Sequence, residues 1–407
     1  MKRLMPEEAG KLKFPIYMDY HSTTPVDPRV VEVMLPYLTE HFGNPSSNQV
    51  FGWVAREAVE AAREKIAALV GAGPDEIILT SGATESNNLA IKGVAQVAGS
   101  GHIVTSAIEH KAVLESVRWL ESQGLRATYV PCDSQGIVQP QAVADALQHD
   151  TVLVSVMAAN NEIGTLQPIA EIGRFLQERG ILFHTDAAQA VGKIPFNVDD
   201  YNVDMVSFTA HKLYGPKGIG ALYIRKKRPR IKLAPILDGG GHEGGLRSGT
   251  LNTAAVAGFG EACRIAGESL AEEPERIRKL RDTMQHALLA RLDQTLLNGH
   301  PGQRLPGNLN ISFLFVEGES LLMGLQDIAV SSGAACSSAI REPSYVLMSL
   351  GRTPEQAYAS VRFGLGRFTT PAEVDFTIQK VVSVVERLRS MSREYQKVAK
   401  PAGGATG

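Results

Sequence analysis

Hydrophobic and polar positions follow two rhythms along this chain. Between residues 77 and 224 short aliphatic runs recur, bounded by Gly, Pro, Asp or Ser, with longer stretches of helical spacing between them. Ile77-Ile78-Leu79-Thr80 reads as a strand, with a helix from about Thr84. His102 to Ser106 reads as the next strand, and Ala112 to Gln123 as a helix ended by Gly124. Ala127 to Pro131, Val152 to Met157 and Ile181 to Thr185 continue the strand series, and Ile169 to Glu178 reads as a helix. Met205 to Thr209 and Gly220 to Ile224 complete seven strands. Such alternation predicts an α/β fold with a mainly parallel seven-stranded sheet covered on both faces by helices.

After about residue 262 the rhythm changes. Leu270 to Leu292 is a long, charged helical stretch, followed by short β-like runs at Leu309 to Phe313, Ile328 to Ser331 and Ser360 to Gly364. A last helix begins near Pro371, with Val374, Ile378, Val381, Val385 and Leu388 on one face. This half reads as a smaller α+β domain. Residues 400–407 are rich in Gly and Ala and are expected to be a disordered tail.

Composition narrows the function classes. The 407 residues suffice for a large core, and 41 Lys and Arg against 43 Asp and Glu leave no electrostatic footprint for nucleic acid or an anionic membrane. The basic run Arg225-Lys226-Lys227-Arg228-Pro229-Arg230 reads as a solvated turn. Cys132, Cys263 and Cys336 are far apart and include no CxxC pair, which argues against a disulfide framework or a metal site and for a reducing compartment. The first residues carry no apolar signal core, and no stretch reaches the ~18 apolar residues of a membrane helix, so a soluble cytoplasmic protein is expected.

Three segments suggest chemistry. Ser81-Gly82-Ala83-Thr84-Glu85-Ser86 joins a strand to a helix, where free backbone N–H groups make either an anion site or a simple cap. Asp186 ends a strand, where it either pairs with a protonated ring nitrogen or caps a helix. Lys212, in Thr209-Ala210-His211-Lys212, also follows a strand, and a desolvated lysine there can form a Schiff base. Each is weak alone. Their order matches what pyridoxal phosphate needs: an anion cradle, a partner for the ring nitrogen and a lysine.

Taken with Thr23-Thr24-Pro25, Gly43-Asn44-Pro45, Glu109-His110-Lys111, Asn160-Asn161-Glu162-Ile163-Gly164, Asp186 to Gln189, Arg247-Ser248-Gly249-Thr250 and Ser331 to Ser338, the chain closely resembles the cysteine desulfurases. It is similar to their housekeeping and nitrogen-fixation branch, from Asp19 to the last helix. The resemblance implies a fold-type-I pyridoxal phosphate enzyme, with a large cofactor-binding domain over residues 20–262. Residues 1–19 and 263–399 would form a small domain carrying a cysteine loop at about 331–345.

By the same resemblance Lys212 holds the cofactor, Asp186 pairs with its ring nitrogen and Gln189 bonds its ring hydroxyl. His110 stacks on the ring and moves protons. Ala83, Thr84, Thr209 and His211 hold the phosphate, and Thr250 reaches the phosphate of the other subunit in a homodimer. Asn161 and Arg362 grip the carboxylate of L-cysteine, with Asn161 also beside the cofactor. Cys336 is the nucleophile that takes the sulfur. The expected activity is a sulfurtransferase that releases alanine and passes a persulfide to an iron–sulfur scaffold, a tRNA-thiolation protein or another acceptor.

Some positions depart from the family pattern. His21 stands where a small or amide residue is usual. Thr209 replaces a frequent Ser, Ala210 a frequent Gly, and Ala334 and Ser337 a Ser and a Thr. Ile340-Arg341 is unusual, and residues 400–407 stand in place of an acidic, aromatic extension that docks the scaffold in relatives. Competing readings are an aminotransferase or selenocysteine lyase of the same fold, and an inactive assembly subunit. A thiol at Cys336 argues against the transaminase. Joint retention of Lys212, Asp186, His110 and Cys336 argues against the inactive subunit.

Overall fold

The computed structural model describes residues 12–226, 230–332 and 342–399. Seven strands form the large sheet: β1 (Ile77–Thr80), β2 (His102–Ser106), β3 (Arg126–Val130), β4 (Thr151–Ser155), β5 (Leu182–Asp186), β6 (Met205–Thr209) and β7 (Gly220–Ile224). Their order in space is β1-β7-β6-β5-β4-β2-β3. Only β7 runs against its neighbours; β6, β5, β4, β2 and β3 pair in parallel.

Alternate residues of these strands serve two different cores. Val104, Val154, Phe183, Val206 and Ala221 face one helix layer. Ile103, Leu153, Met205 and Leu222 face the other. Successive side chains on a strand point to opposite faces, so a sheet covered on both sides buries both sets; these strands are apolar at their centres and carry buried polar residues such as Ser106, Asp186 and Thr209 toward the carboxyl ends. The first face is covered by α1 (Val50–Val70) and, later in the chain, a helix over Thr253–Ser269. The second is covered by α2 (Ala83–Ala98) and α3 (Lys111–Ser122). A further helix, α4 (Ile169–Arg179), buries Ile169, Ile172 and Leu176 on the first face.

The Thr253–Ser269 helix, α5, escaped the reading of the sequence because it is apolar almost all round. That leaves no 3.6-residue contrast to see. The next helix, α6 (Glu273–Arg291), starts three residues later than the pattern suggests, because Pro274 is accommodated in its first turn.

A second, four-stranded antiparallel sheet follows: β8 (Thr295–Asn298), β9 (Asn308–Phe313), β10 (Ser331–Ser332) and β11 (Ser360–Gly364), in the order β10-β11-β9-β8. The Ile328 to Ser331 run is not one strand. Ile328–Ala329 pairs in parallel with Ile16–Tyr17, and Ser331–Ser332 pairs with β11. The core here joins Leu309, Ile311, Phe313, Val361 and Phe363 to the apolar stripe Val374, Ile378, Val381 and Val385 of α7 (Pro371–Met391). A capping box starts α7: Thr370 Oγ1 accepts from Glu373 N–H at 3.3 Å and the Glu373 carboxylate accepts from Thr370 N–H at 2.8 Å. No described helix is long and apolar enough to cross a membrane. Cys336 and residues 400–407 lie outside the described residues.

Candidate active site

A cleft of about 720 Å³, open to solvent, lies at the carboxyl ends of β1, β2, β4, β5 and β6. In an open parallel sheet this is where chain leaving the strands can converge without interrupting the ladder. At the end of β1 the chain turns through Gly82, whose φ of 153° and ψ of 177° suit only glycine. Gly220 of β7 presses on this turn; a Cβ there would lie 2.6 Å from Gly82 Cα. The turn is thereby fixed with the first N–H groups of α2 at the cleft beside Ala83 and Thr84, a ready anion cradle. Glu85, which also lines the cleft, has its carboxylate tied by Ser81 N–H at 2.7 Å and Arg247 Nε at 2.9 Å.

Asp186 is buried at the end of β5. One carboxylate oxygen accepts from Asn87 Nδ2 at 2.7 Å and the other from Ala188 N–H at 3.0 Å. After β6, Thr209 donates its hydroxyl to Ile219 O at 3.0 Å, and His211 Nδ1 sits 3.1 Å from Thr23 Oγ1. Burial, with Lys212 and Lys217 nearby, takes the His211 pKa down to about 4. Lys212 Nζ donates to the carbonyls of His21 and of Ser22, the latter at 2.6 Å. Burial, reinforced by Arg362 and opposed by Asp19 and Asp186, brings its pKa down to about 8. Near pH 7 roughly a tenth of Lys212 is then the nucleophilic free amine, against about one part in three thousand for an ordinary lysine.

His110 is both a cleft residue and the cap of α3. Its Nδ1 accepts from Ala112 N–H at 3.1 Å, which leaves the proton of the neutral ring on Nε2. Enclosure by the surrounding protein lowers its pKa, against the pull of Asp186. Beneath it Glu109 is fully buried; Oε1 accepts from Ser106 Oγ and Met157 N–H, both at 2.7 Å, while Oε2 has no partner. Burial pushes this carboxyl up to about 8, so it is mostly protonated at neutral pH.

The small sheet closes the cleft. Arg362 on β11 donates to Asp19 Oδ1 at 2.8 Å, Ser331 Oγ at 2.9 Å and Asn161 O at 2.8 Å. Its Nε and the Asn161 Oδ1 are buried without hydrogen-bond partners. Unpaired buried polar atoms are costly and mark places where a ligand completes the pairing.

The structure thus brings Ala83, Thr84, His110, Asn161, Asp186, Gln189, Thr209, His211, Lys212 and Arg362 to one cleft. Thr250 is exposed and does not line the cleft of its own chain. Reading the sequence singled out neither Lys193, which bonds Gln189 at 2.7 Å, nor the ring of His21, which lies 3.1 Å from it. His21 drew notice only as a departure, and Lys193 follows an irregular turn with no periodicity to mark it. The donor set fits pyridoxal phosphate: a dianion cradle, a buried carboxylate for a pyridinium and a lysine of lowered pKa.

The class-V aminotransferase family model matches residues 16–376. Cysteine desulfurase IscS of Anaeromyxobacter sp. (strain Fw109-5) is 55% identical over 390 residues, 95% of this chain and 96% of that one. Among solved structures, a NifS-like protein superposes with a TM-score of 0.85 at 38% identity, covering 92% of this chain and 100% of its own. A structure of SspA in complex with cysteine gives 0.78 at 38% identity, covering 87% and 100%. On this agreement of cleft, fold and sequence, the chain belongs to the class-V aminotransferase family, among its pyridoxal phosphate-dependent cysteine desulfurases.

Proposed function

We propose that this enzyme converts L-cysteine to L-alanine, leaves the sulfur as a persulfide on Cys336, and donates it for iron–sulfur cluster assembly. The observation that carries the reading is Lys212, a half-buried amine with a pKa near 8 in the turn after β6, sharing one cleft with Asp186, the α2 N-terminus and Arg362. Pyridoxal phosphate, when bound, supplies the electron sink for the amino acid's α-carbon. The α2 N–H groups, Thr84 and His211 would hold its phosphate, Asp186 its ring nitrogen and Gln189 its ring hydroxyl.

The chain's own groups do the rest. Arg362, through its unpaired Nε, and Asn161 orient the substrate carboxylate. Lys212 as free amine takes the α-proton, and neutral His110, its Nδ1 engaged by Ala112 N–H, offers its Nε2 proton to negative charge developing in the cleft. The Cys336 thiolate then attacks the substrate sulfur. A sulfur–sulfur bond forms as the Cβ–S bond breaks, and the carbon keeps the electron pair and is protonated to the methyl group of alanine. Neither other cysteine suits this step: burial pushes the Cys132 thiol up to about 11 and the Cys263 thiol well above its usual range.

Homodimerisation is supported by an exposed apolar strip, Leu38, Phe42, Val50, Phe51 and Trp53, in which the Phe42 and Phe51 rings stack at 5.5 Å. A second copy there would shelter the strip, and Thr250 would serve the other subunit's phosphate site. The test is alanine and sulfide release from L-cysteine with a reductant, for wild type and Cys336→Ala. The expected result is retained cofactor absorbance with sulfide release collapsed in the variant. Equal activity in the two would remove Cys336 from the mechanism and favour a lyase.

A further inference from the structure

Gln189 is gripped by three groups, two of which, Lys193 Nζ and the His21 ring, have no assigned role. Its Oε1 accepts from Lys193 Nζ at 2.7 Å and lies 3.1 Å from His21 Nδ1, while its Nε2 donates to the His21 carbonyl at 2.9 Å. An amide oxygen only accepts, so His21 Nδ1 must carry the proton. Turning the amide over would set Oε1 against the His21 carbonyl, acceptor against acceptor. Only one orientation is therefore open, and it leaves the second Nε2–H free on a residue that lines the cleft. The turn that brings Lys193 back onto Gln189 passes through Gly192 at φ +74°, a left-handed conformation suited to glycine.

We propose that His21 and Lys193 are positioning residues, a clamp on the Gln189 carbonyl that presents its Nε2–H as a donor to the cofactor's ring hydroxyl. This rests on the assignment of Gln189 given above. A donor there favours the ionised ring oxygen, and an amide turned over would oppose it. The titratable and charged groups around the clamp are Lys193 on the same turn, whose own pKa burial, Lys212 and Arg362 hold well below the usual lysine range, then Lys212 after β6 and Arg362 on β11, with Asp19 and Asp186 acting on Lys212. Burial, then Lys193, Arg362 and Lys212, hold the His21 ring neutral. Its Nε2 is left as a buried lone pair with no partner, as the assigned proton position requires.

The experiment is a pH titration of the absorbance of the purified holoenzyme, which reads the cofactor and not turnover. Gln189→Ala is expected to raise the midpoint by about one unit, the scale of one lost hydrogen bond to a charged atom. His21→Leu and Lys193→Met are expected to follow it, while His21→Asn, whose amide can donate where Nδ1 does, stays near wild type. In the Gln189→Ala background Lys193→Met should add nothing. The clamp is overturned if Gln189→Ala moves the midpoint and His21→Leu and Lys193→Met do not. It is equally overturned if Lys193→Met acts undiminished without Gln189, which is a through-space charge effect. If Gln189→Ala itself moves nothing, the assignment of Gln189 fails, and the clamp with it. Should His21→Leu not fold, Lys193→Met, on a part-exposed turn, decides alone.

Discussion

The large sheet gives the cleft its residues from the chain just beyond its strands, while the small sheet gives Arg362 from the middle of β11, already bonded to three neighbours. Strand-end groups such as Lys212 and His110 sit on turns, where a side chain can move between partners. Arg362 is locked into a ladder between β9 and β10. On the roles proposed above, the groups that exchange protons or bonds come from the turns of the large sheet, and the carboxylate would be held by Arg362 from the interior of the small sheet with Asn161 from beyond β4.

The largest expected break in that contrast is Lys212→Ala. Alanine formation should fall about a thousandfold or more, the range for removing a positioned acid–base group, and cofactor should be lost on gel filtration. Lys212→Arg should not restore it, because a guanidinium does not give up its proton near neutrality. Activity within tenfold of wild type in either variant would place the reacting amine elsewhere.

A smaller effect is expected on the rigid side. Arg362→Lys keeps the charge but loses the planar fork, so kcat/KM for L-cysteine should fall about 10- to 100-fold, mainly through KM. Steady-state kinetics decide it. A loss confined to kcat would mean that Arg362 acts on the reacting atoms and that the division of labour between the sheets is wrong.

How much of this was legible in the sequence follows the same division. The seven strands and their order of use could be read because β1 to β7 are short aliphatic runs punctuated by turns, with Asp186 closing β5 and Lys212 in the turn that follows β6. The family motifs carried His110, Gln189, Asn161 and Arg362, whose spacing alone says nothing of a shared cleft. α5 stayed hidden because it is buried almost all round, and the Val50–Val70 helix also went unread. The split of Ile328 to Ser331 between two sheets depends on partners far away in the chain, Ile16–Tyr17 and β11. The roles of Lys193 and of the buried Glu109 carboxyl are products of tertiary packing, and no local pattern encodes them.

The smallest effect separates the two sheets by their buried polar groups. In the small sheet Asn298 donates to Asn310 Oδ1 at 2.9 Å and Ser312 Oγ at 2.8 Å, and it accepts from Arg352 Nε at 2.8 Å. Under the large sheet's cleft, Glu109 keeps Oε2 unpaired. Burial raises its pKa from 4.5 to about 8. An acid whose folded pKa is raised contributes its full stability below the unfolded value and loses it as pH climbs toward the folded one. Between pH 4.5 and 8 the unfolded carboxyl ionises while the buried one stays protonated, so wild-type stability should drain away across that window. Glu109→Gln keeps the Oε1 acceptor for Ser106 and Met157 and cannot ionise. The variant's Tm should match wild type near pH 4.5 and exceed it at pH 8 by on the order of 5 °C in a chain of this size. Scanning fluorimetry across that range measures the difference. Parallel curves would mean that Glu109 is ionised in the folded protein, and that the floor of the cleft is as well paired as the small sheet.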